Sequence, residues 1–319
     1  MSVSTPILFI TFNRPDTTAQ VFESIKMARP TRLYVANDAP REQNEGDASK
    51  TAEVREIVQQ VDWPCEVKYL FHNDNLGCSL GPRAAFKWFF DQEEEGIILE
   101  DDCVPHPSFF SFCEEMLHRY KNDQRIISIN GSNLGYTSTN AAAYTFSRFM
   151  NMWGWATWKD RASKIDYSLQ DWKQKRKKSY WLWKHLRQDL TDMDVGWVNY
   201  WRFQFDKTIQ TEKLTWWDYQ WIYYQLEHQL LSVVPAKNLV SNIGFNNDGH
   251  HTVYDFLPAA NLPVFELSPP YQAPAIIAPD YLYEEEYVKK IWLNHKRRPV
   301  SFYVKMFFHE KLIRYKADA

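Results

Sequence analysis

The sequence predicts an α/β protein: a three-layer α/β/α domain on a mostly parallel sheet, with an aromatic-rich region and a C-terminal extension. Three observations lead there. Short apolar runs alternate with segments of helical period as far as Asn130, the rhythm of parallel strands covered by helices. Several of those runs end in polar or acidic residues, as strands do where they reach the ligand-binding rim of an open sheet. Apolar residues make up 45% of the 319, ample material for such a core.

Taken in order, Pro6–Phe12 reads as a buried strand, followed by Asn13-Arg14-Pro15 and a helix from about Asp16 to Met27. Arg32–Asn37 is the next strand, ending at Asp38, and a polar loop and a helix (Ala48 to Val61) lead to a third strand, Glu66–Phe71. Asn73-Asp74-Asn75-Leu76-Gly77 is a turn, and Leu80 to Phe90 has apolar residues at helical spacing. The strand Gly96–Leu99 follows, with Pro105 and Pro107 stopping it so that a helix can run from Ser108 to Tyr120. Ile126–Asn130 is a further strand. From Ala141 to about Thr215 the chain is aromatic and basic with weak periodicity, and Trp216 to Leu231 resumes as a helix. Between Asn261 and Asp280 five prolines mark a linker or a segment draped over the core. The expected division is 1–140 and 141–256 as two halves of one domain, then a Pro-rich and basic extension over 257–319.

Net charge is −3, which gives no pull toward nucleic acid. The cysteines Cys65, Cys78, Cys103 and Cys113 lack metal-finger or C-x-x-C spacing and suit a reducing compartment. The apolar start is short for a signal peptide and no run reaches the length of a membrane span, so a cytoplasmic chain is expected. Aromatic residues reach 16%, with 14 Trp concentrated between Trp153 and Trp221. A core absorbs some of them; sugar rings, whose C–H faces pack on aromatic planes, would use the rest. The basic stretches around Lys173–Lys178 and from Lys289 onward fit a solvated face, contact with an anionic membrane, or contact with a phosphorylated acceptor.

Acidic triplets are common in a chain with 40 Asp and Glu; chance alone gives roughly 0.6 of them. Glu93-Glu94-Glu95 and Glu284-Glu285-Glu286 read as solvated faces or helix ends. Glu100-Asp101-Asp102 differs because it directly follows an apolar strand. Carboxylates delivered to a sheet rim suit a hard cation such as Mg²⁺ or Mn²⁺, which could in turn hold a diphosphate.

Together, Asn13-Arg14-Pro15, Asn37-Asp38, Asn75-Leu76-Gly77, Glu100-Asp101-Asp102, Trp153-Gly154-Trp155 and Trp217-Asp218 stand in a telling order. The chain resembles the GT-A-fold nucleotide-diphospho-sugar transferases, within them the inverting N-acetylglucosaminyltransferase I type and its bacterial relatives, over roughly Pro6 to Thr252. That resemblance implies a metal-dependent hexosyl- or N-acetylhexosaminyltransferase, using a UDP-type donor and a glycan or lipid-linked hydroxyl acceptor in polysaccharide synthesis. Arg14 would contact the nucleotide or its phosphates, and Asp38 the base. Asn75, Gly77 and Arg83 would flank the nucleotide. Glu100-Asp101-Asp102 would be the Asp-x-Asp-type triplet with Asp102 on Mn²⁺ or Mg²⁺, and Asp218 the catalytic base. The relatives carry an acidic residue soon after the base, where this chain has Tyr219-Gln220-Trp221.

Physical chemistry bears on three of these roles. Asp218 stands among Trp216, Trp217 and Trp221, and apolar neighbours raise a carboxyl toward useful basicity; it is equally placed to cap the following helix. In Asn246-Asn247-Asp248-Gly249-His250-His251, a histidine, His250 or its neighbour, could complete the metal site or grip the diphosphate; an ordinary surface turn reads as well. Trp153 and Trp155 around Gly154 would make a shelf for a sugar or an aromatic core about a tight turn. A sugar nucleotidyltransferase would need a Gly-rich loop after the first strand, where this chain has Asn13-Arg14-Pro15-Asp16. A non-catalytic carbohydrate-binding relative would be favoured by loss of Asp102 or Asp218, and both are present.

Overall fold

The computed structural model describes residues 2–138, 141–176, 195–245 and 259–295. Strand β1 (Ile7–Thr11), β2 (Arg32–Asn37), β3 (Glu66–Phe71) and β4 (Glu95–Glu100) alternate with α1 (Pro15–Ala28), α2 (Asp47–Val58) and α3 (Gly77–Phe90). Then come β5 (Cys103–Pro105), α4 (Ser108–Tyr120), β6 (Ile126–Asn130), β7 (Tyr144–Ser147) and β8 (Trp155–Trp158). The rest comprises α5 (Lys159–Ala162), α6 (Gln170–Lys175), α7 (Val195–Gln210), α8 (Tyr219–Glu227), β9 (Leu231–Pro235), β10 (Val240–Asn242) and α9 (Tyr281–His295).

Among the described residues the strands form an eight-stranded sheet in the order β3-β2-β1-β4-β8-β6-β9-β7, and β10 pairs with β5 in a small second sheet. β1 runs parallel to β2 and β4, β2 to β3, and β6 to β9. β8 is antiparallel to both its neighbours, and β7 to β9. The central strands are apolar throughout because both their faces are covered. Ile7, Phe9, Ile97 and Leu99 pack with Val21 and Ile25 of α1 and with Phe109, Cys113 and Met116 of α4. Leu8, Tyr34 and Ile98 face Phe86 and Phe89 of α3 and Trp217 and Trp221 at α8. This is the α/β three-layer architecture expected.

Several expectations are corrected by packing. Helix α8 begins at Tyr219 and ends at Glu227; Gln229 takes a left-handed φ of 54°, and the β-branched run after it becomes the buried strand β9. Cys103–Pro105 is itself a strand, held by β10. Two acidic triplets are solvated only in part, each with its first residue buried. Glu93 is 5% exposed and accepts hydrogen bonds from Tyr34 Oη (2.7 Å) and Arg32 Nη1 (2.5 Å). Glu284 is fully buried against Arg148. The aromatic excess goes largely to core: Trp155, Trp158, Trp172, Trp201 and Trp221 are all buried, and Phe149, Trp172, Trp201, Phe205 and Tyr283 form an aromatic second core. The Pro-rich segment is draped rather than free, since Leu267 and Tyr271 join the main core and the Leu267 N–H donates to Ser108 Oγ at 3.1 Å. Among the described residues no helix is long and apolar enough to cross a membrane.

Candidate functional site

Parallel strands end together, and that fact assembles the site. Thr11 pairs with Asn37 and Ile10 with Glu100, so the segments after β1, β2 and β4 leave the sheet at one rim. β8 is antiparallel, with Trp155 opposite Ile98, so its entry, Trp153-Gly154, arrives at the same rim from the other direction.

There Arg14 bridges two carboxylates. Its Nη2 donates to Asp101 Oδ1 and its Nη1 to Asp102 Oδ2 at 3.0 Å, while the Phe12 N–H donates to Asp101 Oδ2 at 3.1 Å. Asp101 is nearly sealed at 4% exposure, whereas Asp102 (14%) and Arg14 (23%) reach solvent. Burial alone would lower the Arg14 pKa, but the charges of Asp101 and Asp102 more than offset it and raise it. Burial raises Asp101, against the pull of Arg14. Glu100 is pushed up to about 8 by burial, then by the charges of Asp102 and Asp101, with Arg14 opposing and Asp218 adding. Asp218 is thus near enough for its charge to reach Glu100.

Asp102 is also the meeting point of distant chain segments. Its carbonyl accepts from the Ile243 N–H at 2.8 Å, and its Oδ1 faces the Cys103 thiol at 3.3 Å. A Cβ on Gly244 would overlap the Asp102 carboxylate and come within 2.9 Å of Arg14 Nη1. Only glycine leaves that space. His250, the expected second metal ligand, and His251 lie outside the described residues, as does the greater part of the basic stretch at 173–184. Among the described residues no group of three or more His, Cys, Asp or Glu converges as a metal cage.

Asp218 directly precedes α8, and its side chain makes no capping hydrogen bond to the helix; its carbonyl accepts from Trp221 and Ile222. Trp221 Nε1 donates to Tyr167 Oη at 3.1 Å, and Arg83 lies 4.4 Å over the Tyr167 ring. Arg83 is thus tied to the support of α8. Asp38 accepts four hydrogen bonds: Oδ1 from the N–H groups of Ala39 (3.0 Å) and Leu76 (2.9 Å), Oδ2 from the Gly77 N–H (2.8 Å) and Asn75 Nδ2 (3.1 Å). Gly77 turns into α3 with a φ of 76°, a conformation glycine adopts without strain.

The two-indole shelf expected at Trp153-Gly154-Trp155 does not form. Trp155 is fully buried, stacked on Trp217 at 6.1 Å and edge-on to Trp221 at 4.9 Å. Trp153 is half-buried at the rim, edge-on to Phe245 at 5.4 Å. Gly154, with φ 61°, sits where a Cβ would come within 2.8 Å of Val240.

Sequence reasoning missed Asp47 and Arg41. Asp47 accepts from Asn13 Nδ2 (2.8 Å), Arg41 Nε (2.6 Å) and Arg41 Nη2 (3.0 Å), which joins the loops after β1 and β2, and Arg41 lies 5.3 Å over the Phe12 ring. The hydrogen bond from Arg41 holds the Asp47 carboxyl below its ordinary range. A lone Asp after Gly46 carries no signal of this beyond a helix start.

No protein-family model and no curated protein matches the chain. Among solved structures it is similar to the mannosyltransferase PcManGT from Pyrobaculum calidifontis, solved with GDP-Man and Mn²⁺, at 11% identity and a TM-score of 0.34, over 50% of this chain and 46% of that one. HddC from Yersinia pseudotuberculosis matches at 9% identity and a TM-score of 0.30, over 49% of this chain and 77% of that one. A UDP-glucose pyrophosphorylase in its apo form matches at 12% identity and a TM-score of 0.26, over 46% and 65%. The chain spans less than half of the mannosyltransferase. These are partial overlaps, and no activity is carried over from them.

Proposed function

We propose that the protein is a metal-dependent glycosyltransferase that moves a sugar from a nucleotide-diphosphate donor, UDP-linked by preference, to a hydroxyl of a glycan or lipid-linked acceptor, with inversion, at the cytoplasmic face of a membrane. The observation that carries this reading is the rim where Arg14 holds Asp101 and Asp102, next to Glu100 and within the field of Asp218. A cation, a cluster of carboxylates and a further carboxylate not used as a cap are the parts that transfer from a diphosphate requires.

The residues present fit a divalent ion held by one protein carboxylate. Asp102, like Glu100, reaches solvent; its Oδ1 faces only the weakly donating Cys103 thiol among the described residues, and Gly244 leaves the space beside it. Mn²⁺ and Mg²⁺ suit one or two carboxylates plus substrate phosphates, and His250 is the proposed additional ligand. Such an ion would supply Lewis-acid stabilisation of the departing diphosphate.

The chain's own residues do the remainder. Arg14 fixes Asp101 and Asp102 and presents a guanidinium to phosphate oxygens, a geometry suited to planar two-point contacts. Asp218 takes the proton of the attacking acceptor hydroxyl, and Trp153 offers an indole face to a sugar ring. Attack opposite the leaving group, with one base and no protein nucleophile, inverts the anomeric centre.

Calorimetric titration of UDP, GDP and dTDP with and without Mn²⁺ tests the donor site. Metal-dependent binding of one of them is the expected result, and no binding under any condition would sink the proposal. Asp218→Asn should keep nucleotide affinity and lose transfer by about 10²–10⁴-fold. A transfer rate near that of the unaltered protein would place the base elsewhere.

A further inference from the structure

A carboxylate has room for about four hydrogen bonds, and Asp38 has accepted four, all from its own chain: the N–H groups of Ala39, Leu76 and Gly77, and Asn75 Nδ2. Three of those donors belong to the turn that opens α3. The Leu76 and Gly77 N–H groups lie where a helix start leaves donors without intrahelical partners, so Asp38 acts as the cap of α3 from just after β2. To accept from a nucleobase it would have to release one of them.

The same network fixes a neighbour. Asn75 Nδ2 donates to Asp38 Oδ2 (3.1 Å) and also to the Ala39 carbonyl (2.6 Å). Two acceptors on one side set the orientation of the amide, because the reversed amide would put oxygen against oxygen. Asn75 is exposed, so Oδ1 is left as the acceptor this turn offers. The turn belongs to the same rim: Cys78, next along it, feels the charges of Glu100, Asp38 and Arg41.

We infer that Asn75 Oδ1 reads the donor base by accepting its ring N–H, and that Asp38 is a positioning residue that holds Asn75 and the start of α3 in place. This rests on the donor-site reading above and gives it a chemical selectivity. Uracil, thymine and guanine carry a ring N–H at the pairing edge. Cytosine and adenine present a lone pair there, which would face Oδ1 unfavourably.

The test uses the full chain and four probes, UDP, CDP, GDP and ADP, titrated calorimetrically with Mn²⁺. The unaltered protein should prefer UDP over CDP, or GDP over ADP. Asn75→Ala should weaken the preferred nucleotide about three- to tenfold, the worth of one hydrogen bond, and abolish the preference. Asn75→Asp, which sets carboxylate oxygen against Asp38 Oδ2 and the Ala39 carbonyl, should lose the preference as well. If Asn75→Ala kept the full preference, the base would be read elsewhere and the inference would fail while the donor site stood. If the unaltered protein bound none of the four, the donor reading would fall, and the base-reading half of the inference with it.

The positioning half has its own readout. Asp38→Asn should speed hydrogen exchange of the Leu76 and Gly77 amides, whose N–H groups donate to Asp38, while the amides of β1 and β4 keep their rates. Unchanged exchange at Leu76 and Gly77 would show that Asp38 does not hold the turn, and faster exchange throughout would mean general loosening rather than loss of a clasp.

Discussion

Arg148 with Glu284 and Arg14 with Asp101 and Asp102 are the same chemistry in two settings. The first is sealed. Glu284 is fully buried, Arg148 is 7% exposed, and Glu284 accepts from Ser147 Oγ (3.3 Å), the Arg148 N–H (2.7 Å), and Arg148 Nε and Nη2. One cation meets one anion, and the pair fastens α9 to β7. The second is open at Asp102 and Arg14, and one guanidinium faces two carboxylates, with Glu100 and Asp218 beside them. The difference separates a clasp from a candidate site. A balanced, dry pair has nothing left to bind, whereas a solvent-reaching pair with surplus negative charge is where the proposed cation would sit.

That contrast can be broken in three places. Glu284→Ala should cost about 3–5 kcal/mol of stability, the usual result of leaving a buried charge without its partner. Denaturant unfolding reads this directly, and a loss below about 1 kcal/mol would erase the distinction. Asp102→Ala should do the reverse, lowering Mn²⁺-dependent nucleotide affinity at least about a hundredfold, near 2.7 kcal/mol, with stability changed by no more than about 1 kcal/mol. Unaltered affinity in calorimetry would remove Asp102 from the site. Gly244→Ala should have the smallest effect, about tenfold in nucleotide affinity, because the added methyl displaces the Asp102 carboxylate without removing it. Equal affinity would mean that the neighbouring backbone yields.

The sheet and the rim were largely legible because both arise from local pattern. Apolar runs such as Ile7–Thr11 and Ile97–Leu99 are strands whichever partner they choose, and the residues just after a parallel strand must lie at its carboxyl end. Burial imposed from a distance was not legible. Glu284 reads as surface in a run of three glutamates until Arg148, far back in the chain, is folded over it. Trp155 looks like half of a sugar shelf until α8 brings Trp217 and Trp221 against it. Leu231 carries the helical period onward, yet the open sheet position beside β6 claims it as a strand. Gly244 gave no signal at all, since its importance is the space that Asp102 occupies.

The bond from the Ile243 N–H to the Asp102 carbonyl has a consequence for how the protein is made. On a ribosome, β1 to β4 can emerge and pair while most of the chain is still unsynthesised, so the acidic triplet exists early. The β10 strand and Gly244 that close around it follow β9 in the chain and emerge after it. Loop-closure entropy makes such distant contacts late events in folding. The nascent chain therefore displays its carboxylates long before the segment that closes around Asp102 is in place.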